Sequence, residues 1–191
     1  MELKRTFLAV PPDARLQARL RDVSPVGAGH ARDTEATSIL EHLRWAEPDD
    51  LHITLVFLGA TTPEQIVALH TRVMVLARSL RAFAYALVGP RLFPDAQRPR
   101  VLVLEPVDAS GFALWQAPLA TACAELGFAP EARRYRPHLS IARLRRAPRR
   151  AVAPCAVPLA GEAREIVLYE SRAGRYTPLF AVDCGGAERA A

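Results

Sequence analysis

His52-Ile53-Thr54-Leu55-Val56-Phe57-Leu58-Gly59 and Pro137-His138-Leu139-Ser140-Ile141-Ala142-Arg143 are the two stretches on which the reading of this chain turns. Each puts a histidine and a hydroxyl residue two positions apart inside a β-prone run. In a strand, residues i and i+2 point to the same face, about 6.5–7 Å apart. Each run would therefore offer an imidazole and a hydroxyl side by side, with Ile53, Leu55, Leu139 and Ile141 turned the other way into apolar packing. If the two strands face one cleft, two imidazoles and two hydroxyls surround a point. Two histidines of ordinary pKa can divide acid and base work at neutral pH. A hydroxyl donates a hydrogen bond to a phosphoryl oxygen without needing a metal. The set suits metal-independent attack on a phosphodiester, in which one histidine takes a proton from water and the other protonates the leaving alkoxide. Each role is worth roughly 10²–10⁴ in rate. A single such pair reads more simply as a structural histidine; it is the duplication that carries weight.

Outward from these runs, Leu3–Val10 alternates and reads as a strand, and Pro12–Val23 carries Leu16 and Leu20 at helical spacing behind Pro12. Ser24–Ser38, rich in Gly, Ala, Ser and Asp, reads as a long loop, Leu40–Trp45 as a short strand and Pro48-Asp49-Asp50 as a turn. The first motif run, Leu51–Leu58, is a strand that Gly59 should end. Ile66, Leu69, Val73 and Leu76 predict a helix over Pro63–Leu80 with Thr62 as N-cap. Strands follow at Ala82–Phe93 and Arg100–Val107 about a turn at Pro94–Pro99, then a helix from Gly111 to Leu126 capped by Ser110 and stopped by Gly127. Arg136–Leu144 is a strand, Ala147–Pro158 a connector, and Glu165–Arg172 and Tyr176–Cys184 two final strands joined through Gly174, ahead of a tail. Seven or eight strands with three helices, in runs of strands between helices, favour α+β with antiparallel sheets. Each half carries a helix, strands and one His-x-Ser/Thr strand, which a duplicated two-lobed architecture explains.

The chain has 191 residues, 50% hydrophobic and 24% charged, so a packed core is expected and wholesale disorder is not. Phe7–Val10 is too short for a signal-peptide core and runs into Pro11 and Pro12, and no run approaches the roughly 20 apolar residues of a membrane span. A soluble, cytoplasmic protein with no membrane association is expected. The formal net charge is +5, with 25 basic residues of which all but Lys4 are arginine. Eight of these arginines and no acid fall between Ala132 and Arg150, a pattern that fits a phosphate-rich partner as well as a solvated loop. Cys123, Cys155 and Cys184 are widely spaced, with no Cys-x-x-Cys, and read as thiols in a reducing compartment. His30, His42, His52, His70 and His138 form no His-Glu-x-x-His or Cys/His cluster, so no metal site is expected. The absence of both Gly-rich phosphate-loop patterns argues against ATP-driven and dinucleotide chemistry.

With these residues in view the chain resembles the two-histidine phosphoesterase superfamily, and within it the RNA 2′,3′-cyclic phosphodiesterase family, also called the 2′-5′ RNA ligases. Arg5–Val10 looks like the family's opening strand. Arg44-Trp45, Pro48 and Leu51–Gly59 look like its first motif, and Tyr135 with Pro137–Arg143 looks like its second. Leu168-Tyr169-Glu170-Ser171 and Tyr176 look like its closing strands. The resemblance implies a two-lobed α+β fold with a pseudo-twofold axis, helices outside and a central cleft, a single domain over 1–191 with 185–191 as a flexible tail. It implies hydrolysis of RNA 2′,3′-cyclic phosphate ends to 2′-phosphomonoesters, with His52 as proton donor to the leaving O3′ and His138 as proton acceptor for water. Thr54 and Ser140 would bind the non-bridging oxygens, Ser140 lacking the methyl that stiffens a threonine. No metal, cofactor or obligate protein partner is implied. Some family members also join tRNA halves through 2′-5′ bonds.

Arg143 lies five residues after His138, so strict alternation puts it on the opposite face unless the strand bulges or ends at Ala142. Arg143, Arg5, Phe7 and Tyr135 are the candidate substrate-binding residues, the arginines for phosphate and the rings for a base. Trp45 is the better fit to core packing, and the arginines at Arg133–Arg136 could steer RNA. Two other readings stand beside the leading one. The first is a phosphodiesterase for a small substrate, such as ADP-ribose 1″,2″-cyclic phosphate or a 2′-5′ oligoadenylate. The second is a non-catalytic RNA-binding protein with a degenerate cleft.

Overall fold

The computed structural model describes residues 2–23, 43–95, 97–129, 131–145 and 158–185. The expected Ser24–Ser38 loop, most of the Ala147–Pro158 connector and the tail beyond Gly185 lie outside them. The strands are β1 (Lys4–Val10), β2 (Leu43–Trp45), β3 (Ile53–Thr61), β4 (Phe83–Phe93), β5 (Val101–Pro106), β6 (Leu139–Leu144), β7 (Leu159–Ala163), β8 (Glu165–Arg172) and β9 (Arg175–Asp183). The helices are α1 (Ala14–Val23), α2 (Pro63–Ala77) and α3 (Ser110–Glu125). Pro48–Asp50 makes one 3₁₀ turn. Among the described residues no helix is long and apolar enough to cross a membrane.

All strands join one antiparallel sheet in the order β7-β4-β5-β6-β3-β1-β8-β9, with β2 added to β6. The two motif strands meet at its centre through one register pair, Ile53 opposite Leu139. The duplication is visible about that point. On one side β1, α1 and β3 run in sequence, with β1 paired to β3; on the other β5, α3 and β6 do the same, with β5 paired to β6. Outer strands complete each lobe, β8 and β9 beyond β1 and β4 and β7 beyond β5. The α+β, two-lobed antiparallel architecture is the one the sequence suggests.

Alternation sets the core. Leu8, Val10, Ile53, Leu104, Leu139, Ile166 and Leu168 leave one face of the sheet and pack with Leu16, Leu69, Val73, Phe112, Trp115 and Leu119 from the three helices. Phe7, Ala9, Val167 and Tyr169, the alternate residues, form a small second cluster with Tyr176 on the opposite face. The helices start where local chemistry allows. Thr62 Oγ1 accepts from the Gln65 amide while Gln65 Oε1 accepts from the Thr62 amide, a reciprocal cap with Pro63 in the first turn. At α3 the expected Ser110 cap is replaced. The helix begins at Ser110 itself, and the Asp108 carboxylate accepts from both the Ser110 amide and its hydroxyl, an anion suiting a helix N-terminus better than a hydroxyl. Gly127, at φ +85°, ends it. The last hairpin turns through Ala173 and Gly174, both at positive φ.

Three boundaries depart from the sequence reading, and each has a tertiary cause. Gly59 does not end β3, which continues to Thr61 because β1 pairs with it as far as Lys4. β6 begins at Leu139 and β3 at Ile53, so each histidine sits immediately before its strand. β7 has little β propensity of its own; pairing with β4 makes it a strand, and the Asp13 carboxylate accepts from the Glu162 amide at 2.6 Å. Gly161 in β7 is required by space, since a Cβ there would stand 2.7 Å from Leu16 Cδ2 and 2.8 Å from Tyr85 Cζ, both in buried side chains. Gly161→Val is expected to lower stability by about 1–3 kcal/mol through overpacking, read from urea unfolding; an unchanged midpoint would show that Leu16 and Tyr85 can move aside.

Candidate active site

Both histidines are held by the same bond. His52 Nδ1 donates to the Asp50 carbonyl at 2.7 Å, and His138 Nδ1 donates to the Arg136 carbonyl, also at 2.7 Å. A carbonyl only accepts, so the hydrogen of each neutral ring sits on Nδ1 and the lone pair is presented on Nε2. In each lobe the residue two before the histidine is itself anchored by its side chain. The Asp50 carboxylate accepts from the Tyr176 amide at 3.0 Å, tying the 3₁₀ turn to β9. The Arg136 guanidinium donates to Glu105 of β5 at 3.1 Å and to the Pro94 carbonyl at 3.4 Å, and lies over the Phe93 ring.

The imidazoles differ in what surrounds them. His52 is ringed by Phe7, Tyr169 and Tyr176, at centroid distances of 4.7, 5.9 and 4.9 Å. His138 stacks on Phe93 alone, at 4.2 Å. Burial among the rings pushes the His52 pKa down to about 4 against the pull of the Asp50 carbonyl and carboxylate. Burial also lowers His138, opposed by its bond to the Arg136 carbonyl and by the Glu105 charge. Both rings are therefore neutral at neutral pH, and His138 keeps the greater affinity for a proton.

His52, Thr54, His138 and Ser140 line one cavity of about 650 Å³ on the face away from the helices, together with Arg5, Phe7, Phe57, Arg143 and Tyr176. Two β-bulges build its walls. On β3 Leu8 faces Val56 and Ala9 faces Thr54, leaving Leu55 over; on β6 Leu102 faces Ala142 and Val103 faces Ser140, leaving Ile141 over. Each extra residue directly follows the motif hydroxyl, so two consecutive residues pack inward and the next returns to the cavity. That is how Arg143 reaches the cavity in spite of simple alternation, and its guanidinium donates to the Tyr176 hydroxyl at 3.2 Å. Phe57 occupies the matching position on β3.

Of the other expected residues, Arg5 is exposed at the cavity edge, and Phe7 is buried with its ring against His52. Tyr135 is not in the cavity lining. Its hydroxyl donates to the Thr54 carbonyl at 3.2 Å and its ring packs on the main core, so it braces the first motif from behind. Trp45 packs on that core and also reaches the cavity edge. The Arg133–Arg136 cluster is less free than its sequence suggests, since Arg133 pairs with Glu131 and Arg136 with Glu105. Sequence reasoning missed Asp50, Phe57, Phe93, Glu105 and Tyr176 as site residues. The spacing of Asp50 and Arg136, each two before a motif histidine, was the available signal. Among the described residues there is no group of three or more His, Cys, Asp or Glu side chains able to hold a metal ion. Cys123 and Cys184 are buried, their thiol pKa values pushed up to about 12, and Cys155 lies outside the described residues.

Two pseudo-symmetric lobes that each deliver a histidine and a hydroxyl to one cavity are the arrangement of a two-histidine phosphoesterase. Residues 23–175 match the family model described as the 2′-5′ RNA ligase superfamily, and the chain belongs to that superfamily. It is 35% identical over 105 residues to an RNA 2′,3′-cyclic phosphodiesterase of Bacillus subtilis, covering 55% of this chain and 57% of that one. To the protein of the same name from Geobacillus stearothermophilus it is 30% identical over 143 residues, 75% of this chain and 43% of the relative. The chain thus spans about half the length of these curated relatives. The fold is similar to TT0787 of Thermus thermophilus, with a TM-score of 0.77 at 24% identity over 96% of this chain and 100% of that one. It is also similar to Escherichia coli LigT in complex with 3′-AMP, at 0.73 and 23% over 96% and 99%.

The depressed His52 pKa has a consequence for stability. Its folded value of about 4 lies below the ordinary 6.5, so the unfolded chain takes up the proton first as pH falls. The stability of the neutral buried ring is present above pH 6.5 and is lost toward pH 4, where the loss reaches about 3 kcal/mol. Urea unfolding across this range is expected to have a shallower pH slope for His52→Gln than for the wild type. In the other lobe, Glu105→Gln is expected to lower the His138 pKa further, measured by NMR titration of the ring; no change would remove Glu105 from the electrostatics of the site.

Proposed function

We propose that the protein hydrolyses RNA 2′,3′-cyclic phosphate ends to 2′-phosphomonoesters, without a metal, by paired histidine acid and base catalysis. The observation that carries this is the opening of His52, Thr54, His138 and Ser140 onto one cavity, each imidazole held with Nε2 free. The names of the curated relatives give the substrate class. Water attacks phosphorus while His138 Nε2 accepts its proton. The P–O3′ bond breaks, and His52, protonated on Nε2, gives that proton to the departing O3′. The products are a 2′-phosphomonoester and a free 3′-hydroxyl, and the histidines exchange protons with solvent before the next turnover. Thr54 and Ser140 hydroxyls donate to the non-bridging oxygens, and Arg143 supplies positive charge beside them. A 5′-hydroxyl attacking in place of water would break the same bond and leave a 2′-5′ linkage, the ligase form of the reaction on tRNA halves.

The electrostatics support this division of labour. A ring that holds its proton weakly is the stronger acid, which suits His52; the ring with more proton affinity is the stronger base, which suits His138. In the free protein the form with His52 protonated and His138 neutral is scarce, and the negative phosphate beside His52 raises its population.

A short RNA ending in a 2′,3′-cyclic phosphate, incubated in EDTA, is expected to yield the 2′-phosphate with the wild type. His52→Ala and His138→Ala are each expected to lose at least 10²-fold in kcat while keeping their folded circular dichroism. Near wild-type rates in either variant would sink the two-histidine mechanism. The profile of kcat/KM against pH is expected to be bell-shaped with its alkaline limb below 6.5, because burial lowers both rings. The kcat profile should lie higher, because bound phosphate favours the charged imidazolium.

A further inference from the structure

Phe57 is a large apolar side chain, 53% exposed, that lines the cavity. Other exposed apolar residues, such as Val67 and Val75 on α2 and Leu114 on α3, lie on helices outside the cavity lining. Scattered exposed residues of that kind are ordinary on a protein surface. An aromatic face left open in a polar cavity beside two neutral imidazoles is a different matter. Phe57 is also where the two lobes stop matching. The bulge after each motif hydroxyl returns the fifth residue past the histidine to the cavity; in one lobe that residue is Phe57 and in the other Arg143.

We infer that Phe57 is a platform on which the base of the nucleotide carrying the cyclic phosphate stacks. The inference rests on the proposed reaction and deepens it. In-line displacement sets the polarity of the cavity. The leaving O3′ lies toward His52 and the attacking water toward His138, so the ribose and its base lie over the His52 lobe, to which Phe57 belongs. His52, Phe7 and Phe57 follow one another at ring separations of 4.7 and 6.1 Å. Phe7 is buried within this row, which leaves Phe57 as the ring with a free face. Gly59, two residues on, also lines the cavity, and a Cβ there would meet nothing within 4 Å, so the space beyond the ring is open. Every base has a π-face, so a stacking platform requires a base without reading which one it is.

The test compares adenosine 2′,3′-cyclic phosphate with a substrate that has no base, glycerol 1,2-cyclic phosphate. Phe57→Ala is expected to raise KM for the nucleotide by roughly 5- to 150-fold more than for the glycerol compound, the range that loss of one base–aromatic stack gives. Phe57→Tyr should restore it, and Leu114→Ser, on the exposed face of α3, should move neither value. Titration calorimetry with adenosine 2′-phosphate and with inorganic phosphate gives the same comparison without turnover. An equal effect of Phe57→Ala on ligands with and without a base, or no effect on either, overturns the inference. A wild type that turns over neither substrate, yet binds adenosine 2′-phosphate in a Phe57-dependent way, defeats the proposed reaction and leaves the platform standing.

Discussion

The site depends on one backbone pairing, Ile53 against Leu139, where the two halves of the sheet join. The residue before each of these is a motif histidine. Both central residues are fully buried, so the pairing is fixed by the core beneath it and cannot slip by one without turning every neighbouring side chain over. A duplicated fold therefore brings its two histidines together at no cost in added structure. They lie on either side of the pseudo-axis because the strands they introduce are the ones that meet there.

Symmetry places the groups, and asymmetry gives them different work. The carbonyl bond that fixes each tautomer is the same in both lobes, and so is the bulge that follows each hydroxyl. What differs is one layer out. An acid, Asp50, stands two before His52, and a base, Arg136, stands two before His138; three aromatic rings enclose the first imidazole and one supports the second. The histidines are thus alike in geometry and unlike in proton affinity. A pair that must pass protons in opposite directions within one reaction needs that combination.

Much of this was legible in the sequence, and the boundary of legibility is physical. The histidine–hydroxyl pairs, the Thr62 cap and the α+β order follow from local patterns that the structure keeps. β7 was not legible, because neither Leu159 nor Gly161 favours a strand and only β4 makes one of that segment. Arg143 could be placed on either face, since a bulge is a property of two paired strands and not of one. Tyr135 was expected beside a base because it sits near the second motif, whereas its hydroxyl serves the back of the first. Glu105 and Phe93 come from strands far from both motifs in sequence and carry no pattern of their own.

The interleaving of the lobes has a consequence for how the chain comes into being. β1, among the first residues made, lies between β3 and β8, and the hairpin of β8 and β9 that supplies Tyr169 and Tyr176 is among the last described. Likewise β4 waits for β7. Neither lobe is closed by a continuous half of the chain, so synthesis from the N-terminus cannot finish one before beginning the other. The pairings that complete the walls around His52 span most of the sequence, and contacts of such range form slowly. A nascent or truncated chain would carry both motif histidines and still lack the enclosure that separates their proton affinities. Acid–base competence is thus a property of the completed chain.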